Sequence, residues 1–342
     1  MQALFLVGEQ RSGSNLLRLM ISNSHEIAAP HPPHILQRID PIVPVSRILD
    51  DHKFNQLVES VCRLVETNPV PWLNTVLERD DVKRRCREQH VIAIYGAVMD
   101  IYAESNNAHA WMCKSMQNIR WADSLNKYFG NNKYIYLHRD ARDVALSFTK
   151  AVIGEKHVYF ISKQWSDLQR LSLDARSKLH SDRYFTISYT GLTEETESTL
   201  RNLCGFLRID FRKDMMEFYD SEEAKNTAAS SSLWENVTKP IMHDNSNKFM
   251  KELKEDQLRI IESITGKEMD ELGYERVFIK NGEEMRFTAQ QVEQFREENE
   301  KLKKEQAKKT DPEDAEKRKR QEQVLIELKQ AVKEWKEEQV LL

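Results

Sequence analysis

The residues best suited to chemistry sit near the start of the chain, in Gly8-Glu-Gln-Arg-Ser-Gly-Ser-Asn15. Gly8 and Gly13 have the spacing of a phosphate-binding P-loop, and Ser12 and Ser14 add hydroxyl donors. Leu16, Leu17, Leu19 and Met20 then open a helix whose first backbone N–H groups have no internal partner. Together these donors make an anion site. After Gly13 come Ser14 and Asn15, where a nucleoside triphosphatase carries Lys and then Ser or Thr. Positive charge comes instead from Arg11 inside the loop, which suits a phosphoryl group less charged than a triphosphate tail.

Three further stretches carry groups of the same kind. Lys133 to His138 reads as a strand that empties into Arg139-Asp-Ala-Arg-Asp-Val-Ala-Leu-Ser147. Arg142 with Asp140 or Asp143 fits a salt bridge capping the next helix. Arg139 lies at the carboxyl end of the strand, where open α/β sheets bind ligands. A shorter strand, Ala110 to Cys113, ends at Lys114-Ser115. Pro30, Pro32 and Pro33 hold His31 and His34 on a stiff extended path just beyond the anion site. That path suits a catalytic side chain and equally an ordinary connector. His52, His90 and His109 are unclustered and read as surface or structural.

The elements that must position these groups follow from hydrophobic spacing. Ala3 to Val7 is an apolar run of the kind a strand buried on both faces needs. Helices are expected at about 118–128, 158–179 and from Thr193 to Leu207, with a strand at Arg183 to Tyr189. Alternating strands and helices predict an α/β fold, a P-loop-like parallel sheet flanked by helices. Residues 54–106 read as a helical insertion facing substrate, and 220–247, around Trp234, as a long functional loop. A last helix, 255–264, closes a domain spanning 1–280.

From about 281 to 342 charged residues and Gln dominate, giving a helical C-terminal extension. Thr310-Asp-Pro-Glu313 signals a helix restart, with Asp as N-cap and Pro at the first helical position. Leu325, Leu328, Val332 and Trp335 then recur at the coiled-coil interval. A homodimer through these helices and a helix folded back on its own domain fit this pattern equally.

Composition narrows the field. The 342 residues carry a formal net charge of −4, so any phosphate recognition is local and no general pull toward nucleic acid or anionic membrane is expected. No apolar run is long enough to span a membrane. The four cysteines are scattered without zinc-ligand spacing, so no metal is expected and the thiols read as reduced. With no basic leader before the apolar N-terminus, a cytoplasmic location is expected.

Taken in order, these pieces resemble the sulfotransferases that use 3'-phosphoadenosine 5'-phosphosulfate (PAPS), with a layout similar to the tyrosylprotein and bacterial branches. Gln10-Arg-Ser-Gly-Ser-Asn-Leu-Leu17 is similar to their 5'-phosphosulfate loop, and Lys133 to Ser147 to their 3'-phosphate motif. Ser188-Tyr-Thr-Gly-Leu192, Trp111-Met-Cys-Lys114 and Lys239-Pro240 through Ser246-Asn-Lys248 fall at matching distances. The resemblance implies that Arg11, Ser12, Gly13, Ser14 and Asn15 hold the 5'-phosphate and sulfonate. It implies that Arg139 and Ser147 hold the 3'-phosphate with Tyr189 nearby, and that Ser246 and Lys248 close over the nucleotide. Lys114 would neutralise charge on the bridging oxygen as adenosine 3',5'-bisphosphate leaves. His31 stands where the tyrosylprotein branch has a Glu base, with His34 and Glu9 in reserve, and an acceptor hydroxyl or amine is implied. Rival readings are a nucleotide kinase-like P-loop phosphotransferase and a non-catalytic nucleotide-binding scaffold acting through its coiled-coil tail.

Overall fold

In a computed structural model, which describes residues 1–230, 232–243, 245–309 and 311–341, the alternation of side chains along the strands decides how the layers form. Five parallel strands, β1 (Gln2–Gly8), β2 (Ile27–Ala28), β3 (Ala110–Cys113), β4 (Lys133–His138) and β5 (Tyr184–Ser188), lie in the order β2-β3-β1-β4-β5. The strand that begins the chain is central, paired with β3 and β4. Its Phe5 and Val7 face one hydrophobic cluster with Trp111 and Tyr134, while Leu4 and Leu6 face another with Met112 and Leu137. Successive residues point to opposite faces, so a strand covered on both sides is apolar throughout.

Helix α1 (Ser14–Ser22) packs on the Leu4 face. The opposite face is covered largely by the insertion, in which α2 (Ile35–Ile39) precedes α3 (Asp51–Glu66), α4 (Arg79–Arg85) and α5 (Val91–Ser105). His90 caps α5, its Nδ1 accepting from the Ala93 N–H at 3.1 Å, in line with a structural role. A 3₁₀ turn at Met116–Trp121 leads into α6 (Ala122–Phe129). Beyond β4 come α7 (Ala141–Lys150) and α8 (Val158–Lys178).

The helix expected from Thr193 is two helices, α9 (Tyr189–Glu194) and α10 (Thr196–Leu207), because the Ser188 hydroxyl accepts from the Gly191 N–H at 3.0 Å and starts a turn earlier. The polar loop 220–247 holds α11 (Glu222–Ser230) and a 3₁₀ stretch at Ser232–Thr238. After α12 (Phe249–Glu252), α13 (Glu255–Glu271) outruns its expected end at 264.

Arg142 is fixed as the capping pair foresaw. Its guanidinium meets Asp140 and Glu262 at 2.7 Å each, all three side chains buried, and Asp140 also accepts from the Arg142 N–H at 2.8 Å. Asp143 instead accepts from the backbone N–H of Asn247, 2.8 Å away, tying the late loop to α7.

The charged extension forms α14 (Ala289–Ala307) and α15 (Pro312–Leu341). Asp311 accepts from the Glu313 N–H at 2.8 Å, the N-cap expected there; Thr310 lies outside the described residues. The apolar seam of α15 is filled within the chain. Val324, Leu328, Val332 and Trp335 are buried with α3 in the insertion core, with Val324 rather than Leu325 at the first position. Trp335 Nε1 donates to Gln56 Oε1 at 2.5 Å, Gln321 Nε2 to the Leu64 carbonyl at 2.9 Å, and Arg63 pairs with Glu327. The residues read as a coil seam therefore pack on their own domain, in one apolar cluster with Leu57, Val61 and Leu64 of α3. Leu328→Ala should cost about 3 kcal/mol through the cavity it leaves. Denaturant unfolding checks this, and a loss below about 1 kcal/mol would contradict close packing of α15.

Candidate active site

The anion loop turns on residues with positive φ, among them Gly13 and Arg11. Gly13, just before α1, has φ +87°, and an added Cβ there would lie 2.8 Å from the Tyr189 ring. Arg11 is also left-handed, at φ 66°. Its Nε donates to Ser147 Oγ at 2.9 Å. Arg139 Nη1 donates to the Arg11 carbonyl at 3.0 Å, and its other terminal nitrogen to the Asn245 carbonyl. The Arg139 guanidinium lies 4.1 Å from the centroid of the Tyr189 ring, and Asn245 Nδ2 donates to the Tyr189 hydroxyl at 3.0 Å. Loop, β4 end and α9 are thus locked together at the carboxyl ends of the central strands.

Two cavities meet at this loop. The first, of about 200 Å³, is lined by Arg11, Gly13, Ser14, Asn15, Arg139, Ser147 and Tyr189, and by Trp234, Lys239, Pro240 and Asn245 from the late loop. The second, of about 380 Å³, is lined by Arg11, Ser14, Asn15, His31, His34, Lys114 and Trp234 among others. Arg11, Ser14, Asn15 and Trp234 are shared between them. Ser12 Oγ and Arg139 Nε are buried without a hydrogen-bond partner among the described residues, as is Asn15 Oδ1. Unpaired buried donors carry a desolvation cost that an anionic ligand would remove, so the residues present fit phosphate groups.

Ser12, Ser246 and Lys248 do not line either cavity, Ser12 being fully buried; Asn245, beside Ser246, does, an uncharged residue that gives no motif of its own. Glu9 lines neither. It is fully buried, both of its oxygens accept from Gln164 Nε2 at 3.1 and 3.0 Å, and burial raises its carboxyl pKa to about 7. Arg38, Arg318 and Gln321 line the second cavity, and nothing in their local sequence marks them.

The titrating groups of the second cavity are perturbed by burial. Lys114 is lowered to about 7, by burial first and then by Arg18 and Arg11. His34 is lowered to about 3 and His31 well below the usual imidazole range, in each case by burial first and then by Lys114. Both rings are therefore neutral at pH 7. Asn68 Nδ2 sits 3.3 Å from His31 Nδ1 and also reaches the His31 and Val70 carbonyls at 3.2 and 3.0 Å. Two carbonyl acceptors fix the amide orientation, so a bond to His31 Nδ1 puts that ring's proton on Nε2. The Nδ1 of His34 is buried with no partner among the described residues.

The fold is an α/β one, a five-stranded parallel sheet with the candidate site at the carboxyl ends of its central strands. A sulfotransferase family model matches residues 3–213, and the chain belongs to that family. The sulfotransferase domain from the curacin biosynthetic pathway superposes with a TM-score of 0.54 at 21% identity, covering 81% of this chain and 99% of that one. The sulfotransferase domain from the Synechococcus PCC 7002 olefin synthase gives 0.50 at 22% identity, covering 77% and 93%. Both share the fold. An uncharacterized protein of Aquifex aeolicus (strain VF5) is 24% identical over 235 residues, which are 66% of this chain and 28% of that protein. This chain thus matches under a third of that relative's length. Family and fold together support a sulfotransferase activity. No helix among the described residues is long and apolar enough to cross a membrane.

Proposed function

We propose that the chain moves a sulfonate group from PAPS to a hydroxyl or amine acceptor by in-line attack. The observation carrying this reading is the shared wall: Arg11, Ser14 and Asn15 line one cavity with Arg139, Ser147 and Tyr189, and another with His31, His34 and Lys114. A group held on that wall can be approached from the second cavity while its nucleotide remains in the first. Bound PAPS would supply the sulfonate and a good leaving group, adenosine 3',5'-bisphosphate. On the protein's side, Arg11, Ser12, Gly13, Ser14 and Asn15 hold the 5' end, and Arg139 and Ser147 the 3'-phosphate, with Tyr189 stacked on Arg139.

Lys114 donates to the bridging oxygen as charge builds there, a stabilisation that grows toward the transition state. The acceptor's proton passes to His34, the reserve base, because Asn68 occupies His31 Nδ1 and leaves that ring with a protonated Nε2 able only to donate. Domain 1–280 carries this machinery, and α15 completes the wall of the second cavity.

Lys114 makes the reading testable by pH. A bound anion favours the charged ammonium, so nucleotide binding above pH 7 takes up a proton, and affinity falls as pH rises through the free-protein value of about 7. Below that value the lysine is already charged and the dependence flattens. The dissociation constant for adenosine 3',5'-bisphosphate should rise roughly tenfold between pH 7 and 8.5, and Lys114→Met should abolish this slope. Calorimetry across that range checks it. A slope that survives the substitution would remove Lys114 from the nucleotide site, and no binding at any pH would remove the reading itself.

A further inference from the structure

Sulfonate transfer uses Arg11 and Lys114 in the second cavity but leaves two cations there without a task. Arg38, in the last turn of α2, and Arg318, in α15, also line it, and none of the lining residues is acidic. The two come from segments some 280 positions apart, so the tail helix brings one of them in. Burial lowers both guanidinium pKa values, and Arg318 lowers that of Arg38 further. Glu322 acts on both arginines and Asp314 on Arg318, yet neither carboxylate lines the cavity. Nε of Arg318 is buried with no hydrogen-bond partner among the described residues. Arg38 and Arg318 present two like charges on one cavity wall that carries no carboxylate, and an oxyanion bound there would be attracted by both.

We propose that the acceptor carries an oxyanion, a phosphate or carboxylate, that docks on Arg38 and Arg318 and thereby presents its hydroxyl or amine to Lys114 and the histidines. This rests on the sulfonate-transfer reading. A planar guanidinium fork matches either oxyanion bidentately. The cavity, at about 380 Å³, has room for a molecule reaching from the arginine pair to the shared wall.

The test uses the full chain saturated with adenosine 3',5'-bisphosphate, titrated calorimetrically with inorganic phosphate and, separately, acetate. Phosphate is expected to bind, with Arg38→Gln and Arg318→Gln each weakening it at least tenfold while nucleotide affinity stays within twofold. Arg318→Lys should restore part of the loss, and tighter binding of acetate than of phosphate would assign the carboxylate. Thermal unfolding of each variant within a few degrees of the parent verifies that α15 stays packed. The proposal is overturned if the glutamine variants bind both anions as tightly as the parent, or if the loaded parent binds neither. If the nucleotide itself fails to bind, the sulfonate-transfer reading falls, and phosphate titration of the unloaded chain still reads the arginine pair.

Discussion

Lys114→Met should lower kcat by about a hundred- to a thousandfold, the loss found when one preorganised donor to a developing oxyanion is removed. The side chain is buried at the end of β3, with its pKa lowered to about 7. At neutral pH it can hold a proton on an oxygen gaining charge and release it afterwards. The methionine keeps the length and removes the proton. Labelled-PAPS turnover with a panel of hydroxyl and amine acceptors, with and without an oxyanion, gives the measurement. KM for PAPS should move much less than kcat, because an interaction made mainly in the transition state is being deleted. If kcat stayed within threefold of the parent, Lys114 would have no place in the chemistry.

Gly8→Ala should be the most damaging small substitution, at about 4 kcal/mol. Gly8 ends β1 with φ +127°, beside Leu137 in the β4 register, and an added Cβ would sit 2.3 Å from the Leu137 carbonyl oxygen. That oxygen belongs to a central strand and cannot swing away as a side-chain tip could. Both the left-handed backbone and the clash therefore count against alanine. Gly205→Ala, in α10 where nothing lies within 4 Å, is the control and should be neutral or slightly stabilising. Thermal unfolding of the pair decides the matter: equal melting points would mean that β1 and β4 are not held at this separation.

The legible parts of the sequence are those whose signal is local. The apolar runs at β1 and β4 and the glycine and serine spacing between β1 and α1 each announce an element within a dozen residues. So does the capping aspartate before Arg142. β2 escaped because Ile27-Ala28 is too short to show a period, and its place at the sheet edge is fixed only by pairing with Ala110 and Trp111. The seam of α15 was visible, but not its partner: a stripe repeating every three or four residues fits a second chain or the chain's own α3 equally well. Asn245, Arg38, Arg318 and Gln321 were invisible for a deeper reason. Their contribution is a position in a wall, set by the packing of distant helices, and no property of their neighbours in sequence encodes it. His31 and His34 fall between these cases: the prolines foretold the stiff path, and only the packing of Asn68 distinguishes one ring from the other.

The docking of α15 on α3 also orders events during synthesis. By the time β5 leaves the ribosome, all five strands and the anion loop have been made. Arg318 and Gln321 follow about 130 residues later, a delay of roughly 7 to 26 s at ordinary elongation rates. Through that interval the chain has the anion loop but not the side of the second cavity that α15 supplies, and the late loop that lines the first cavity arrives partway through it. On the proposed reading, the nucleotide side of the site is complete once Asn245 is made, 73 positions before Arg318, so the acceptor side closes after it.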